Sequence, residues 1–230
     1  SGRRRFLDQI VITGGPSAAT VIAEYDRVVR QRNALLKSHR GRPNEAARNA
    51  LAGWNDQLVE LATNYTSLRL SVLDQLRPLV AESYRTIAGD QVVDLHLDWP
   101  LHSQQVPQQD IAEHYRLDLD ARASDEWDRG VSLVGPHRHD MAITLNAMPS
   151  RTHSSQGEAW SLALALRVAQ AELYRRDSHS GDPVMILDDV FAELDQRRRK
   201  TLTELVARYE QVLVTAAVWE DVPEGFGQHV

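Results

Sequence analysis

The sequence predicts an α/β fold, in which a parallel sheet with flanking helices is joined to an antiparallel helical hairpin. Two apolar runs of strand length, residues 184–187 and 212–215, are separated by a helix-like segment at 196–209. This strand–helix–strand order is typical of a right-handed parallel crossover. Earlier in the chain, apolar residues recur every seven positions, which predicts long packed helices.

Composition limits the classes of protein to which the chain can belong. Its 230 residues are 42% hydrophobic, enough for a sizeable core. The absence of cysteine excludes disulfide frameworks and thiolate metal sites. No run is long enough to cross a membrane and no signal peptide opens the chain. The absence of cysteine fits the expectation of a cytoplasmic protein. Because the net charge is −6, any DNA contact must come from local clusters of cations.

The first third of the chain predicts the helical hairpin. The turn at residues 14–17 precedes a helix that should end near His39, and Asn44 is a good N-cap for the next helix. That second helix, expected over residues 45–77, has an a/d heptad pattern. Its a-type positions are Leu51, Leu58, Tyr65, Val72 and Leu79, and its d-type positions are Trp54, Leu61 and Leu68. Pro78 should kink or end the helix within the preceding turn.

The middle of the chain alternates between strand and helix signals. Residues 92–99 alternate like a half-buried strand, and residues 111–127 are typical of an amphipathic helix. Two further short strands, at 131–134 and 141–145, flank the break at Gly135-Pro136 and should pair as a hairpin.

A capped helix start provides the first candidate site. Ser154, Ser155, Gln156, Gly157 and Glu158 precede an apolar run rich in good helix formers. Free N–H groups at a helix N-terminus form an anion site. The Ser-x-x-Glu spacing also fits a plain capping box, and the two interpretations are compatible.

Paired acids provide the second candidate site. The run at 184–187, expected to be buried on both faces, ends at Asp188-Asp189. Acids at the carboxyl end of a buried parallel strand lie where open α/β sheets bind ligands, and an aspartate there can hold Mg²⁺ beside a phosphate. A helix cap or a surface ion pair is the alternative. The sequence Glu193-Leu194-Asp195 follows, and Asp195 could N-cap the helix after it.

The order of these motifs resembles the C-terminal half of ABC-type ATPases, where they are the signature motif, the Walker B strand and the D-loop. Within that superfamily the sequence is most similar to the RecF family of bacterial recombination mediators, in the SMC-like branch. Three other stretches carry the same resemblance: residues 3–8 (RRRFLD), 30–37 (RQRNALLK) and 130–138 (GVSLVGPHR). The RecF family has an acid where this chain has His139.

The resemblance implies a nucleotide site shared between two copies of the protein. Asp188 would hold Mg²⁺, Asp189 would polarise the attacking water, and Asp195 would contact the opposite protomer. Because most ABC ATPases have glutamate in place of Asp189, the shorter side chain predicts slow hydrolysis. The signature residues expected to bind ATP held by the opposite protomer are Ser155, Gln156, Gly157 and Glu158.

A phosphate loop of the G-x-x-x-x-G-K-[ST] type is absent from the sequence. By resemblance that loop, Walker A, belongs to an N-terminal lobe, which we expect this chain to lack. Alone, the chain should therefore bind ATP weakly or not at all. The intact protein should be a slow, DNA-stimulated ATPase.

The resemblance also implies partners and a cellular role. The intact protein would dimerise on ATP, bind single- and double-stranded DNA near gaps, and help to load RecA, with RecR and RecO as partners. By this resemblance, the intact protein would act in recombinational repair, in replication restart and in the SOS response. The candidate cations for DNA or phosphate contact are Arg3, Arg4, Arg5, Arg138, Arg197, Arg198, Arg199 and Lys200.

Two other interpretations remain open from the sequence. The chain could belong to another ABC-type machine, either an SMC-like protein or a transporter motor, or it could be a non-enzymatic interaction module. We expect a helical arm over residues 1–89, a connecting strand and helix over 90–129, and the ATPase half over 130–230.

Overall fold

The fold is described from a computed structural model that covers residues 2–100, 106–177, 181–191, 194–218, 220, 222 and 226. The chain forms two compact units, one of Ser1–Asp74 with Leu95–Ala142 and one of Gln75–Asp94 with Ile143–Val230. We call them the first and second units. Among the described residues, no helix combines the length and the apolar character that a membrane span requires.

Four long helices dominate the first half of the chain. They are α1 (Gly2–Thr13), α2 (Pro16–Ser38), α3 (Glu45–Ala88) and α4 (Gln108–Arg129). Helices α2 and α4 confirm their predicted positions within a few residues. Helix α1 was not predicted, and it buries Phe6, Leu7, Ile10 and Val11 along one stripe.

Helices α2 and α3 confirm the predicted antiparallel hairpin. Leu36 packs with Leu51, the guanidinium of Arg32 donates to Asn55 at 2.9 Å, and the rings of Tyr25 and Tyr65 lie 5.6 Å apart. As the contacting residues on α2 step back from Leu36 to Tyr25, their partners on α3 advance from Leu51 to Tyr65. The two helices therefore run antiparallel, as in a hairpin. Asn44 caps α3, because its side-chain oxygen accepts the Ala47 N–H at 2.8 Å.

The prediction that Pro78 would kink or end this helix near residue 77 is wrong about its end. Helix α3 continues through Pro78 to Ala88. The proline lacks one N–H, but Leu76, Leu79 and Tyr84 on either side of it are buried. Burial of these side chains outweighs the loss of one backbone hydrogen bond.

The heptad pattern of α3 is only partly reflected in its burial. Of the a-type positions, all are buried except Val72, which is half-buried, whereas Trp54, Leu61 and Leu68 at the d-type positions are half-buried. The fully buried stripe shifts instead to residues such as Ala62, Arg69 and Leu73. A period of 3.6 rather than 3.5 residues explains this drift.

The strand predicted at 131–134 is absent, and the hairpin expected around Gly135-Pro136 is absent with it. Side chains occupy the backbone groups that a strand partner would need. The N–H of Ser132 donates to the Asn33 side chain at 2.6 Å, and the N–H of Leu133 donates to Glu126 Oε1 at 2.7 Å. A short apolar run therefore stays irregular, because side chains have replaced a strand as its partner.

An antiparallel sheet contains β1 (Val93–Leu97), β2 (Met141–Leu145) and β3 (Met148–Pro149) in the order β1-β2-β3. The predictions at 92–99 and 141–145 are confirmed. Asn146 and Ala147 between β2 and β3 both have positive φ, at 48° and 63°. Positive φ at both central positions is the pattern of the tight turns that match the twist of a hairpin.

The second unit contains the parallel pair that the sequence predicted. It comprises α5 (Ser150–His153), α6 (Gln156–Asp177), β4 (Met185–Asp188), α7 (Gln196–Val206) and β5 (Val212–Thr215). Strands β4 and β5 pair in parallel from Met185↔Val212 to Asp188↔Thr215. The predicted α/β class is confirmed, and α7 ends three residues before the expected Tyr209.

Strand β4 is not buried on both faces as predicted. Met185 and Leu187 are buried, whereas Ile186 is 66% exposed and Leu213 on β5 is 45% exposed. Among the described residues, this sheet has two strands, and its second face is uncovered.

Buried arginines hold the first unit together. Arg32 and Glu126, 1% and 0% exposed, form an ion pair of 2.5 Å, and Arg32 also donates to the Ser132 hydroxyl at 2.9 Å. Arg69 pairs with Asp8 at 2.7 Å and donates to the Pro136 carbonyl at 2.7 Å. Removing one partner of such a pair would leave a buried charge uncompensated, so each network fixes the packing of its helices.

We predict that Gly135→Ala destabilises the protein by about 2 to 4 kcal/mol, because this glycine has a φ of +130° and an added Cβ would overlap the Tyr25 hydroxyl. Urea unfolding followed by circular dichroism measures the effect. Gly53→Ala is the matched control, since an added Cβ at this helical, exposed position meets nothing within 4 Å. The control should gain up to about 1 kcal/mol. Equal stability of the two variants would contradict the prediction.

Candidate functional site

The carboxyl end of the parallel pair places an acid beside a hydroxyl. Asp188, the last residue of β4, is in register with Thr215, the last residue of β5. The Thr215 hydroxyl donates to Asp188 Oδ1 at 2.5 Å. This hydrogen bond fixes the carboxylate in one orientation and leaves Oδ2 for a ligand.

The second acid of the pair has an unusual backbone. Asp189 has φ of 52°, in the left-handed region that non-glycine residues seldom adopt. Its N–H group lies 3.1 Å from both the carbonyl oxygen and the hydroxyl oxygen of Thr215. Thr215 therefore holds both acids: it binds the side chain of Asp188 and the backbone N–H of Asp189. Strained backbone held in this way is frequent at functional sites.

The chemistry of this end fits a hard divalent cation. Mg²⁺ in nucleotide enzymes is bound by one or two carboxylates together with phosphate oxygens and waters, rather than by a complete protein cage. Asp188, with Asp189 beside it, supplies such carboxylates on an exposed edge. Among the described residues, no group of three or more histidines, aspartates or glutamates forms a complete metal site.

The predicted signature stretch forms a complete capping box. Glu158 Oε2 accepts the Ser155 N–H at 2.8 Å and the Ser155 hydroxyl at 2.9 Å, while the Glu158 N–H lies 3.3 Å from the Ser155 oxygen. Gln91 donates to Glu158 Oε1 at 3.2 Å. The bonds from Ser155, then that from Gln91, hold the pKa of Glu158 below its ordinary value of 4.5. The start of α6 is thus exposed and rigid.

The predicted D-loop acid caps a helix, as the sequence allowed. Asp195 Oδ1 accepts the Arg198 N–H at 2.8 Å at the start of α7. Leu194 before it is buried, and its carbonyl accepts the Arg199 guanidinium at 3.0 Å. Glu193, the first residue of that motif, lies outside the described residues. The buried Leu194 before it and its own cap on α7 hold Asp195 in a fixed position.

One arginine joins the predicted D-loop to the helix of the predicted signature. Arg198 Nε lies 3.7 Å from Asp195 Oδ2, and a Cβ built on Gly157 would lie 3.5 Å from Arg198 Nη1. The guanidinium therefore lies against the first turn of α6. The structure thus brings Gly157 close to Asp195 and Arg198, which follow much later in the sequence.

Several cations that the sequence selected for DNA or phosphate contact have partners inside the protein. Arg3 pairs with Asp140 at 3.5 Å, Arg4 donates to the carbonyls of His137 and His139, and Arg138 donates to the Ser132 carbonyl at 2.6 Å. The exposed members of the set are Arg5, Arg138, Arg197 and Lys200, although Arg138 is held by its hydrogen bond to Ser132. The assignment of these residues to DNA remains a prediction.

His139, at the position where the resemblance expects an acid, is part of an aromatic cluster. Its ring stacks on Trp99 at 5.2 Å and on Tyr115 at 6.0 Å. Burial, followed by the charge of Arg69, lowers its pKa to about 3. The side chain is therefore neutral at physiological pH and serves packing here.

Sequence reasoning missed Thr215, Gln91 and the placement of Arg198. Thr215 had a usable signal, because it ends the strand predicted to pair with the Walker B strand and so had to lie opposite Asp188. Gln91 and Arg198 had no such signal, since their contacts with the signature helix depend on tertiary packing.

Comparisons with known proteins agree with the resemblance. No family model matches the chain. A protein of Leifsonia xyli subsp. xyli, described as DNA replication and repair protein RecF, is 45% identical over 252 residues, which cover 99% of this chain and 63% of that protein. A protein of the same description from Clavibacter sepedonicus is 41% identical, over 97% of this chain and 60% of that protein. The chain thus spans about three fifths of the length of these curated relatives.

Solved structures agree on the fold. A structure of the recombination mediator protein RecF with ATPrS, in the RecFOR pathway, superposes with a TM-score of 0.84 over 97% of this chain and 59% of that chain, at 24% identity. A structure of RecF with ATP gives a TM-score of 0.78 at 22% identity, over 96% of this chain and 58% of that chain. At this level of identity, the likeness establishes the shared fold.

We predict that Ser155→Ala raises the pKa of Glu158 toward 4.5, because one of the bonds to the carboxylate is lost. Since the folded-state pKa is depressed, ionised Glu158 stabilises α6 above pH 4.5, and this stabilisation is lost as the pH falls through the folded-state pKa. A carboxyl-detected NMR titration measures the pKa of Glu158 in wild type and in the variant. Ser124→Ala on α4 is the control and should leave this pKa unchanged. An identical Glu158 pKa in all three proteins would refute the capping box.

Proposed function

We propose, from the premise that this chain belongs to the RecF family, that the protein acts in DNA replication and repair as an ATP-dependent recombination mediator. In this proposal the protein dimerises on ATP and binds DNA near gaps. RecR and RecO are its partners, and it helps to load RecA, all in the cytoplasm. The mention of the RecFOR pathway for a structural neighbour supports the choice of partners.

The observation that carries the proposal is the paired acids held by Thr215 at the carboxyl end of a parallel strand pair. A capping role for the acids, considered from the sequence, does not require this arrangement, because Asp195 rather than Asp188 or Asp189 caps α7. Acids fixed at such an edge, and exposed, favour a ligand that brings its own charge. A nucleotide with Mg²⁺ meets that requirement.

Each residue has a distinct role in the proposed site. Asp188 would hold Mg²⁺, which when bound would supply positive charge beside the phosphates, and Asp189 would orient the attacking water and accept its proton. The start of α6 faces the nucleotide of the opposite protomer, where the Ser155 hydroxyl and the N–H groups of the first turn donate to the γ-phosphate. Asp195, fixed by its cap on α7, contacts that protomer.

Hydrolysis would release the dimer. The γ-phosphate is the ligand that the signature residues of one protomer bind on the other, so its loss removes the contact that favours the closed state. Slow hydrolysis suits a clamp that must remain on DNA while a partner acts. The shorter reach of Asp189, compared with glutamate, supports slow turnover.

We expect Ser155→Arg to abolish ATP-dependent dimerisation of the full-length gene product. The arginine would fill the space of the γ-phosphate and remove a donor to it. Light scattering with and without ATP–Mg²⁺ measures the mass. Wild type should double in mass with ATP–Mg²⁺, and so should the control Ser124→Arg, which carries the same change at an exposed position of α4. Thermal unfolding confirms that both variants fold.

If the mass changes neither with ATP nor with the Ser155 substitution, the proposal is contradicted. The stretch from Ser155 to Glu158 would then be only a capped helix, and the interaction-module interpretation would take its place.

A further inference from the structure

Three helix ends meet at one end of the hairpin in the first unit. Leu36 near the end of α2, Ala47 and Leu51 at the start of α3, and Trp127 near the end of α4 form one apolar cluster. The turn between α2 and α3 is bound to α4, because the Gly41 N–H donates to the Trp127 carbonyl at 3.0 Å. The tip of the hairpin is therefore held in place.

Close backbone packing strengthens this junction. Arg40 Nε donates to the Asp128 carbonyl at 2.8 Å. Gly130, at the left-handed C-cap of α4, lies so close to α2 that an added Cβ would be 3.3 Å from the Lys37 Cα. Any side chains displayed at this end are carried on a rigid base, which lowers the entropy that a partner must overcome.

Four cations are displayed there. Lys37, Arg42, Arg48 and Arg129 are all exposed. In the part of the chain that the structure describes, no carboxylate pairs with any of these side chains, and none of them donates a hydrogen bond. We call these four residues the basic hairpin end.

The charge at this end is opposite to that of the chain. Residues 37–48 contain one lysine and three arginines against one acid, Glu45. Counting Asp125, Asp128 and Arg129 at the exposed end of α4 still leaves five cations against three acids, whereas the whole chain has 26 cations and 32 acids. Lys37 and Arg129 lie in the last turns of α2 and α4, where a cation complements the helix dipole. Arg48, the fourth residue of α3, opposes the dipole of its helix, and Arg42 lies in the turn. Helix stability therefore does not explain these two arginines.

We propose that the basic hairpin end binds the phosphate backbone of nucleic acid, an inference that rests on the DNA role proposed above. Guanidinium groups match phosphate in geometry and charge. A rigid display of four unpaired cations on an otherwise acidic chain gives a local attraction for a polyanion. The four residues lie outside the predicted signature, Walker B and D-loop stretches, and in this proposal they contact DNA without nucleotide.

The test removes three of these cations from the full-length gene product. The variant Lys37→Ala/Arg42→Ala/Arg48→Ala keeps Arg40, whose side chain supports the turn. The matched control is Arg85→Ala/Arg116→Ala/Arg176→Ala, which changes the net charge equally at exposed positions paired with Glu82, Glu113 and Glu172. Fluorescence anisotropy with a labelled gapped duplex of mixed sequence measures the DNA affinity without nucleotide. The salt concentration is varied from roughly 50 to 200 mM, a range over which counterion release changes the affinity measurably.

We expect the hairpin variant to lose about tenfold or more in affinity at low salt. Its slope of log K against log salt should become shallower by about 2 to 3, close to one unit for each phosphate that the variant no longer neutralises. The control should keep the wild-type slope. A labelled poly-glutamate peptide serves as a second probe, and its binding should be weak in all three proteins.

The outcomes separate this inference from the proposed function. If wild type binds DNA and both triple variants bind it equally well, the hairpin end is not the DNA-binding surface, although the repair role stands. If the hairpin variant loses only the poly-glutamate peptide, the surface binds an acidic protein segment and the inference is overturned. If wild type binds DNA only when ATP–Mg²⁺ is added, this inference is overturned although the proposed function stands. If wild type binds no DNA with or without ATP–Mg²⁺, the proposed function fails and this inference fails with it.

Discussion

The hydrogen bond from Thr215 to Asp188 is the interaction on which the candidate site depends. It exists because β4 and β5 run parallel and end in register, so that one strand delivers an acid and its neighbour delivers a hydroxyl. The same threonine accepts a hydrogen bond from the Asp189 N–H. This bond helps to hold Asp189 in a left-handed backbone conformation that costs free energy for a residue other than glycine. Strand pairing, rather than a loop, therefore sets the positions of both acids. This is the more precise way to hold a site.

Elsewhere in the protein, side chains likewise hold segments of backbone that are not part of a helix or a sheet. Glu126 and Asn33 satisfy the backbone N–H groups of an irregular apolar segment, and Arg69 supports the turn after it. In the second unit, the Asp195 side chain does the same at the start of α7 by accepting the Arg198 N–H. Such contacts cost side-chain entropy, and functional geometry is a good reason to retain them.

Local patterns in the sequence predicted the longer helices after residue 15, the parallel pair and the capping box, because period, propensity and cap residues act over a few positions. Long-range packing decided the rest. Pro78 remained inside α3 because buried neighbours outweighed its missing N–H, and residues 131–134 formed no strand because side chains occupied their N–H groups. Ile186 is exposed because burial of β4 depends on a second covering layer, which an apolar run alone does not supply. The arginine contacts at Gly157 were likewise invisible without the fold.

The most direct measurement is the Mg²⁺ dependence of the ATP hydrolysis proposed for the full-length gene product, compared in wild type, Thr215→Val and Thr215→Ser. Valine keeps the shape and removes the hydroxyl, whereas serine restores the donor. If Thr215 positions Asp188 for the cation, valine should raise the Mg²⁺ concentration for half-maximal rate roughly tenfold, as expected for one charge-assisted hydrogen bond of about 1.5 kcal/mol, and serine should return it close to wild type. Identical Mg²⁺ dependence in wild type and the valine variant would contradict the account.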